Sequence, residues 1–324
     1  MKNSTFYYLI FLSVFLTSCK QEKNKLITQL QGPVFGTTYH ITYEDPLDYQ
    51  QSIDSLFYLV NKSLSTYMPT SDISRINKND TTVVVDDLFI EVFNKSKKIY
   101  KETDGYFDVT VGNLVNAYGF GSKKGKHDLS FAEIADMMKL VGFDKVELKD
   151  RKIIKQDSGI EFDVNSIAKG FGIDVIARFL EQKNIQNYLV EIGGEIRCKG
   201  LKEGKPWRVA IEKPNIDGTQ SIQKTIELTN KSMATSGNYR KYRVGEDGKK
   251  YVHILNPLTG LAQESNLLSA SVIAEKDCAD VDAYATAFMA MGLEKTKEFL
   301  EEYNEIKVIL LYANEEGKIV EFTN

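Results

Sequence analysis

EFDVNSIAKGFGID, residues 161–174, is the stretch on which the reading of this chain turns. Phe162 and Val164 alternate as one face of a strand would, and Ile167, Phe171, Val175, Phe179 and Leu180 then recur at helical spacing. The polar residues Asp163, Asn165, Ser166 and Lys169 fall at the junction. Gly170 and Gly172 lie in the first helical turns, where a glycine costs about 1 kcal/mol against alanine but lets another backbone come close. A helix start presents free N–H groups and the positive end of the dipole, which favours an anion, and Lys169 adds a full positive charge. The junction therefore suits a phosphate-bearing ligand. An ordinary strand–helix turn with solvated polar side chains is the plainer alternative, and the stretch by itself favours it.

Around this stretch lies a chain of 324 residues, 42% hydrophobic and 27% charged, with six prolines, which is enough apolar material for one large domain or two intimate ones. The net charge of −4 comes without a long run of one sign, so nucleic acid is not an expected partner, nor is an anionic bilayer surface for the body of the protein. The N-terminus differs. Lys2 precedes an apolar run over 6–16, too short to span a membrane as a mature helix, and Leu16-Thr17-Ser18-Cys19 follows. Residues 1–18 read as a secretory signal, and the cysteine after it resembles a bacterial lipobox, with cleavage before Cys19 and lipid on its thiol. Plain secretion with a chance cysteine is the alternative. Residues 19–25 read as a tether and 26–324 as the folded domain. Cys198 and Cys278 lie far apart and form neither a disulfide framework nor a zinc pattern; a free, unreactive pair is expected.

Along the chain, 26–30 and 38–42 read as short strands around Gly32-Pro33-Val34-Phe35-Gly36-Thr37-Thr38. A helix over 48–64 places Ile53, Leu56, Phe57, Val60 and Leu64 on one face, and 82–85 is a β-branched strand. Asp86 or Asp87 caps a helix to 103; 106–112 is strand-like and then glycine-rich to 121. Ser130 and Glu133 form a capping box for a helix to 141, and 145–148 with 152–155 make a hairpin. The strand 188–192 ends in Gly193-Gly194-Glu195, where backbone can approach a flat ligand. Strands at 207–211 and 225–228 precede a stretch, 233–239, that turns into a hairpin returning through Tyr251, His253 and Leu255. A strand over 267–274, helices over 280–291 and 293–303, and strands over 307–312 and 318–322 complete the chain. Strands and helices mix without strict alternation, which is the pattern of an α+β fold. The segment 121–127 lacks the spacing of a phosphate loop and reads as a solvated basic loop.

Few residues are equipped for chemistry. Histidine occurs at 40, 127 and 253; His253 precedes a Pro-Gly turn and has the near-neutral pKa of a general base, although a lone strand histidine is more often structural. Asp282 and Thr286 are four apart and share a helix face, a carboxylate and a hydroxyl suited to a hard cation such as Mg2+. The competing account has Asp280 capping the helix and Asp282 solvated.

Taken together, FGTTYH, LSTYMPTSDISRIN, DGYFDVTVGNLVNAYGFG, DVNSIAKGFGID, EIGGEIRCKG, ATSGNYR, HILNPLTG and DCADVDAYATAFMAMG resemble, in order from about 30 to 295, the FAD:protein FMN transferases, the ApbE family of flavin transferases. The lipobox at Cys19 fits the same family. The resemblance implies an α+β, T-fold-like architecture of mixed sheets with packed helices. It implies that FAD, with Mg2+, gives its FMN half to a threonine or serine hydroxyl of a partner protein, through a phosphoester, with AMP leaving. Carried over, Ser166 (through its backbone oxygen), Asp282 and Thr286 ligate the metal. Phe35, Thr66, Tyr67, Asp108, Asp163, Lys169, Ser236, Gly237 and His253 meet the flavin nucleotide, with His253 as base or acceptor-orienting group and Asp282 also catalytic. Acceptors implied are subunits of Na+-translocating NADH:quinone reductase, related redox complexes or small exported FMN-binding domains. The implied location is the periplasmic side of a bacterial envelope membrane, through a lipid anchor.

Two positions depart from the family pattern: Phe35 stands where many relatives have methionine, and Asn165-Ser166 where many have Gly-Ala or Gly-Gly. The chain carries no Asp-x-x-Ser/Thr-Gly-Ala-Ser/Thr acceptor motif, so it is not expected to flavinylate itself. Two other functions use the same residues. One is hydrolysis of FAD to FMN and AMP; the other is passive flavin binding by a periplasmic lipoprotein, which would need neither metal nor base.

Overall fold

The computed structural model describes residues 26–324 except 124, 126–128, 213–221, 239–241, 245–249, 253 and 263–265. The leader, Cys19 and the tether therefore lie outside the described residues, as do His127 and His253. Among the described residues no helix is long and apolar enough to cross a membrane.

The chain opens on a hairpin of β1 (Ile27–Val34) and β2 (Thr37–Glu44), turned by Phe35-Gly36, both at positive φ. Helices α1 (Gln50–Leu64), α2 (Asp72–Asn77), α3 (Asp87–Glu102), α4 (Gly112–Ala117) and α5 (Phe131–Met138) follow. A second hairpin, β3 (Val146–Lys149) and β4 (Lys152–Lys155), leads into the long α6 (Asn165–Gln182). Then come β5 (Tyr188–Ile192), β6 (Glu195–Lys199), β7 (Trp207–Glu212), β8 (Ile222–Leu228) and β9 (Lys231–Gly237), and a small hairpin of β10 (Tyr242–Val244) and β11 (Lys250–Val252). The chain ends with β12 (Leu267–Ala274), α7 (Cys278–Met291), α8 (Leu293–Glu302), β13 (Lys307–Ala313) and β14 (Ile319–Thr323).

Eight strands make one sheet in the order β1-β2-β5-β6-β9-β12-β13-β14, and neighbours within it pair antiparallel. With helices interspersed, this is the α+β arrangement. Side-chain alternation gives the sheet two covered faces. Ile41, Val190, Ala234 and Val272 point into the main core, where α6 and α7 lie; Ile196, Cys198 and Met233 point the other way, under the β7–β8 hairpin with Trp207 and Val209. Ten of the 14 residues of α7 are buried, as expected of a helix that is apolar all round and sits between a sheet and other helices. α6 packs beside it, and Gly170 makes the approach possible: a Cβ there would fall 2.4 Å from the carbonyl oxygen of Cys278.

Local signals mostly act as read. The Asp86 carboxylate accepts from Phe89 N at 2.9 Å, the Ser130–Glu133 capping box is complete, and Asp150 and Arg151 turn the second hairpin at φ 48° and 58°. Both described cysteines are free and buried, and burial pushes both thiols up in pKa, as an unreactive pair requires.

Four expectations are corrected. Residues 161–164 are not a strand: only Glu161 bridges, to Val111, and the N–H and C=O of Phe162 are taken by the Asn77 side chain at 2.8 and 2.9 Å. The alternation in 82–85 is real, with Val83 and Val85 buried, but its neighbour is the β3–β4 turn, and Arg151 satisfies Val85 in place of a strand. The strand-like run 106–112 ends in a helix, because Gly112 donates to the Glu161 carbonyl and starts α4. Residues 233–237, read as the start of a turn, belong to β9 in the middle of the sheet, and β6 was not expected at all. Small and polar side chains hide both strands, since their inward residues (Arg197, Ser232, Ser236) serve ion pairs and hydrogen bonds.

Candidate active site

At one end of the sheet the Phe35-Gly36 turn, the Gly193-Gly194 turn and the end of β9 meet the start of α6 and the middle of α7 around a cavity of about 530 Å³. α6 supplies Asn165, Ser166 and Lys169; α7 supplies Asp282 and Thr286; Asp108 and Asp163 come from the connections before α4 and α6. The glycines at 193 and 194, at φ 62° and 105°, let the β5–β6 turn form the wall that the sequence assigned to close backbone approach.

The electrostatics differ from a bare anion hole. The first N–H of α6 is already engaged, since Asn165 N donates to Asp163 Oδ1 at 2.8 Å. Lys169 is not a free cation: its Nζ donates to Glu195 Oε1, and Glu195 is buried with its other oxygen, Oε2, without a partner among the described residues. Burial opposes the charge of Lys169, but Glu195 and Asp282 outweigh it and hold its pKa above the usual value. Asp282 is 3% exposed, and burial pushes its pKa to about 7, with Lys169 opposing and Glu195 adding to the rise. Its Oδ2 accepts from Gly170 N at 3.1 Å. Burial also raises Asp108 to about 6, against hydrogen bonds from Thr110. Asp163 is raised by burial as well, against bonds from Asn165.

Among the described residues lining the cavity, four carboxylates (Asp108, Asp163, Glu195, Asp282) thus face one ammonium. Such a lining disfavours a bare phosphate, and positive charge brought in with the ligand would offset it. The donors fit one. Asp282 and Thr286 stand one turn apart on α7, Thr286 Oγ1 lies 3.2 Å from Ser236 Oγ, and Ser166 lies across on α6. The set is all oxygen, which suits Mg2+ rather than a softer metal. Among the described residues, no group of three or more His, Cys, Asp or Glu side chains that could hold a metal occurs.

Of the residues singled out from the sequence, Phe35, Asp108, Asp163, Ser166, Lys169, Ser236, Gly237, Asp282 and Thr286 line this one cavity. Tyr67 stands outside the lining, its hydroxyl donating at 3.4 Å to the carbonyl of Phe120, which does line it. Thr66 is also outside, with its hydroxyl buried and without a hydrogen-bond partner among the described residues. His253 lies outside the described residues; the next two residues, Ile254 and Leu255, line the cavity. Asp280 does not cap the helix and faces away from the site, where its carboxylate takes Lys95 Nζ at 2.8 Å. Glu195 was missed as a site residue. Its signal was a carboxylate directly after a Gly-Gly turn, a place where a strand begins facing the cavity.

The structure is thus an α+β frame in which a buried cluster of oxygen-bearing side chains lines one cavity. The ApbE family model matches residues 35–310, and the chain belongs to that family. It is 36% identical to the FAD:protein FMN transferase of Haemophilus influenzae, covering 95% of this chain and 92% of that one. It is also 36% identical to the FAD:protein FMN transferase of Vibrio cholerae, covering 96% and 95%. Among solved structures it is similar to the flavin transferase ApbE from Vibrio cholerae, with a TM-score of 0.82 at 35% identity over 92% of this chain and 97% of that one. The apo form of Pseudomonas stutzeri flavinyl transferase ApbE gives a TM-score of 0.81 at 30% identity, over 92% and 95%.

Proposed function

We propose that this chain is a flavin transferase that moves FMN from FAD to a threonine or serine hydroxyl of a partner protein, with Mg2+, forming a phosphoester and releasing AMP. The observation that carries the reading is the meeting of Ser166, Lys169, Asp282 and Thr286 at one end of the cavity of an ApbE-family chain. Bound Mg2+ would supply the charge screening that an attack on a pyrophosphate requires. Asp282, Thr286 and the Ser166 carbonyl would hold it. Lys169, kept charged and placed by Glu195, offers its remaining N–H donors to phosphate oxygens. The Gly193-Gly194 turn and Phe35 present a flat wall to a ring system.

In the transfer the acceptor hydroxyl oxygen bonds to the phosphorus on the FMN side, the bridging P–O bond breaks, and AMP carries that electron pair away. The hydroxyl proton passes to His253. Asp282 would act as a cation ligand, its negative surroundings favouring a bound cation. Cys19 would carry lipid and 19–25 would tether the domain to the periplasmic side of an envelope membrane, within reach of membrane redox subunits or small exported FMN-binding domains.

Incubation of the protein lacking residues 1–19 with FAD and Mg2+ tests the chemistry. AMP formed only when an acceptor domain is added supports transfer. AMP formed at the same rate without one favours the pyrophosphatase, and FAD bound with no AMP favours passive binding.

A further inference from the structure

α6 carries Ser166 and Lys169 and α7 carries Asp282 and Thr286, so the spacing and register of two helices decide whether these groups share one centre. What fixes that register lies deeper, away from the cavity. Asp174, on α6, is fully buried and is not part of the cavity wall. Its Oδ1 accepts the N–H of Cys278 and its Oδ2 the N–H of Ala279, each at 2.8 Å. Those are the first two residues of α7, whose own N-cap residue, Asp277, makes no side-chain cap. Arg197 on β6 closes the clasp: its Nη1 donates to Asp174 Oδ1 at 2.6 Å and to Asp277 Oδ1 at 2.5 Å. One turn along α6, Gly170 lets the helices touch and donates its N–H to Asp282 itself.

We propose that Asp174 is a positioning residue: by gripping the start of α7 through two backbone N–H groups it holds Asp282 and Thr286 opposite Ser166 and Lys169, and so sets the divalent-cation affinity of the site. The inference rests on the metal reading given above. An ionised carboxylate satisfies two orphan donors of a helix start and complements its dipole, with charge-assisted bonds. Asparagine has the same shape but one acceptor oxygen, so Asp174→Asn would turn an amide N–H toward a donor and release one end of the grip.

The test uses Mn2+ in place of Mg2+, counted as free ion by electron paramagnetic resonance in flavin-free protein, beside FMN affinity measured in chelator by flavin fluorescence. Asp174→Asn is expected to weaken Mn2+ binding by about 10–100-fold, the usual effect of losing a group that orients metal ligands, with FMN affinity unchanged. Ile176→Val, which removes a buried methyl from the same helix, is expected to lower stability and leave Mn2+ affinity as in the wild type. Folded Asp174→Asn with wild-type Mn2+ affinity overturns the proposal, as does an equal loss of FMN binding or an equal loss in Ile176→Val. If Asp174→Asn does not fold, Arg197→Gln decides: weakened Mn2+ binding supports the clasp and unchanged binding overturns it. A wild-type protein that binds no Mn2+ overturns the metal reading and this inference with it, which separates that failure from the failure of the clasp alone.

Discussion

Asp282 is enclosed by protein, beside one ammonium and a second carboxylate, and its ionisation is correspondingly disfavoured; in the proposed function a cation would restore it. Asp282→Ala is therefore expected to abolish Mg2+-dependent AMP release; a Mg2+ titration of activity indistinguishable from wild type would remove Asp282 from the metal site. His253 is tested separately, because a threonine hydroxyl is a poor nucleophile without a base. His253→Ala should lower transfer by about 10²–10⁴-fold, the range for losing an acid–base group, while FAD still binds; wild-type turnover would exclude it. Phe35 shows a different residue-scale compromise. It holds φ 48°, which costs a non-glycine residue about 1 kcal/mol or more, and its ring edge covers Gly172 of α6 while another part lines the cavity. Methionine would fill that place with a more adaptable chain.

At the scale of elements, the site is a product of how closely α6 and α7 lie. Gly170→Ala would gain about 1 kcal/mol of helix propensity, but its Cβ would meet Cys278 and Ala279 backbone atoms at 2.4–2.8 Å, which neither helix can move without shifting the other. A net loss of about 1–3 kcal/mol is expected by urea unfolding, as for other overpacked contacts; Gly172→Ala should lose less, because the atoms it meets belong to the Phe35 ring. Unchanged stability in Gly170→Ala would mean that the helices are not locked together. Much of this level was legible in sequence. Helices with a polar cap and an apolar face, such as α3 and α5, announce themselves locally, and Asp282 and Thr286 declare a shared face by spacing alone. That 161–164 is not a strand was not legible, because a side chain, Asn77, 85 residues away in sequence supplies the hydrogen bonds that a neighbouring strand would. β6 and β9 were obscured for a related reason: their inward faces are polar and are satisfied by partners from α6, α7 and the loops. The pairing of Lys169 with Glu195 was equally out of reach, since it needs the sheet to bring 169 and 195 together.

Across the whole molecule, charge is concentrated behind the site as well as in it. Lys95, Arg178 and Arg197 converge on Asp277; burial works against that carboxylate, but these partners outweigh it and hold its pKa at about 2. A carboxylate whose pKa is lower folded than unfolded binds fewer protons in the native state, so it stabilises above the unfolded value near 4 and loses that contribution as pH falls toward 2. It amounts to about 2 kcal/mol. Asp277→Asn should thus flatten the acid limb of stability, measured by urea unfolding from pH 5 to pH 2.5; an unchanged slope would show that the cluster does not act as drawn. The same cluster ties α3, α6, β6 and the start of α7 into one unit, on which the cavity depends. The most direct test of the account weighs an acceptor domain by intact mass spectrometry after incubation with the protein lacking residues 1–19, FAD and Mg2+. The account predicts a mass gain equal to one FMN phosphoester, matched by an equal amount of AMP and absent with Asp282→Ala; AMP without any gain on the acceptor would contradict it.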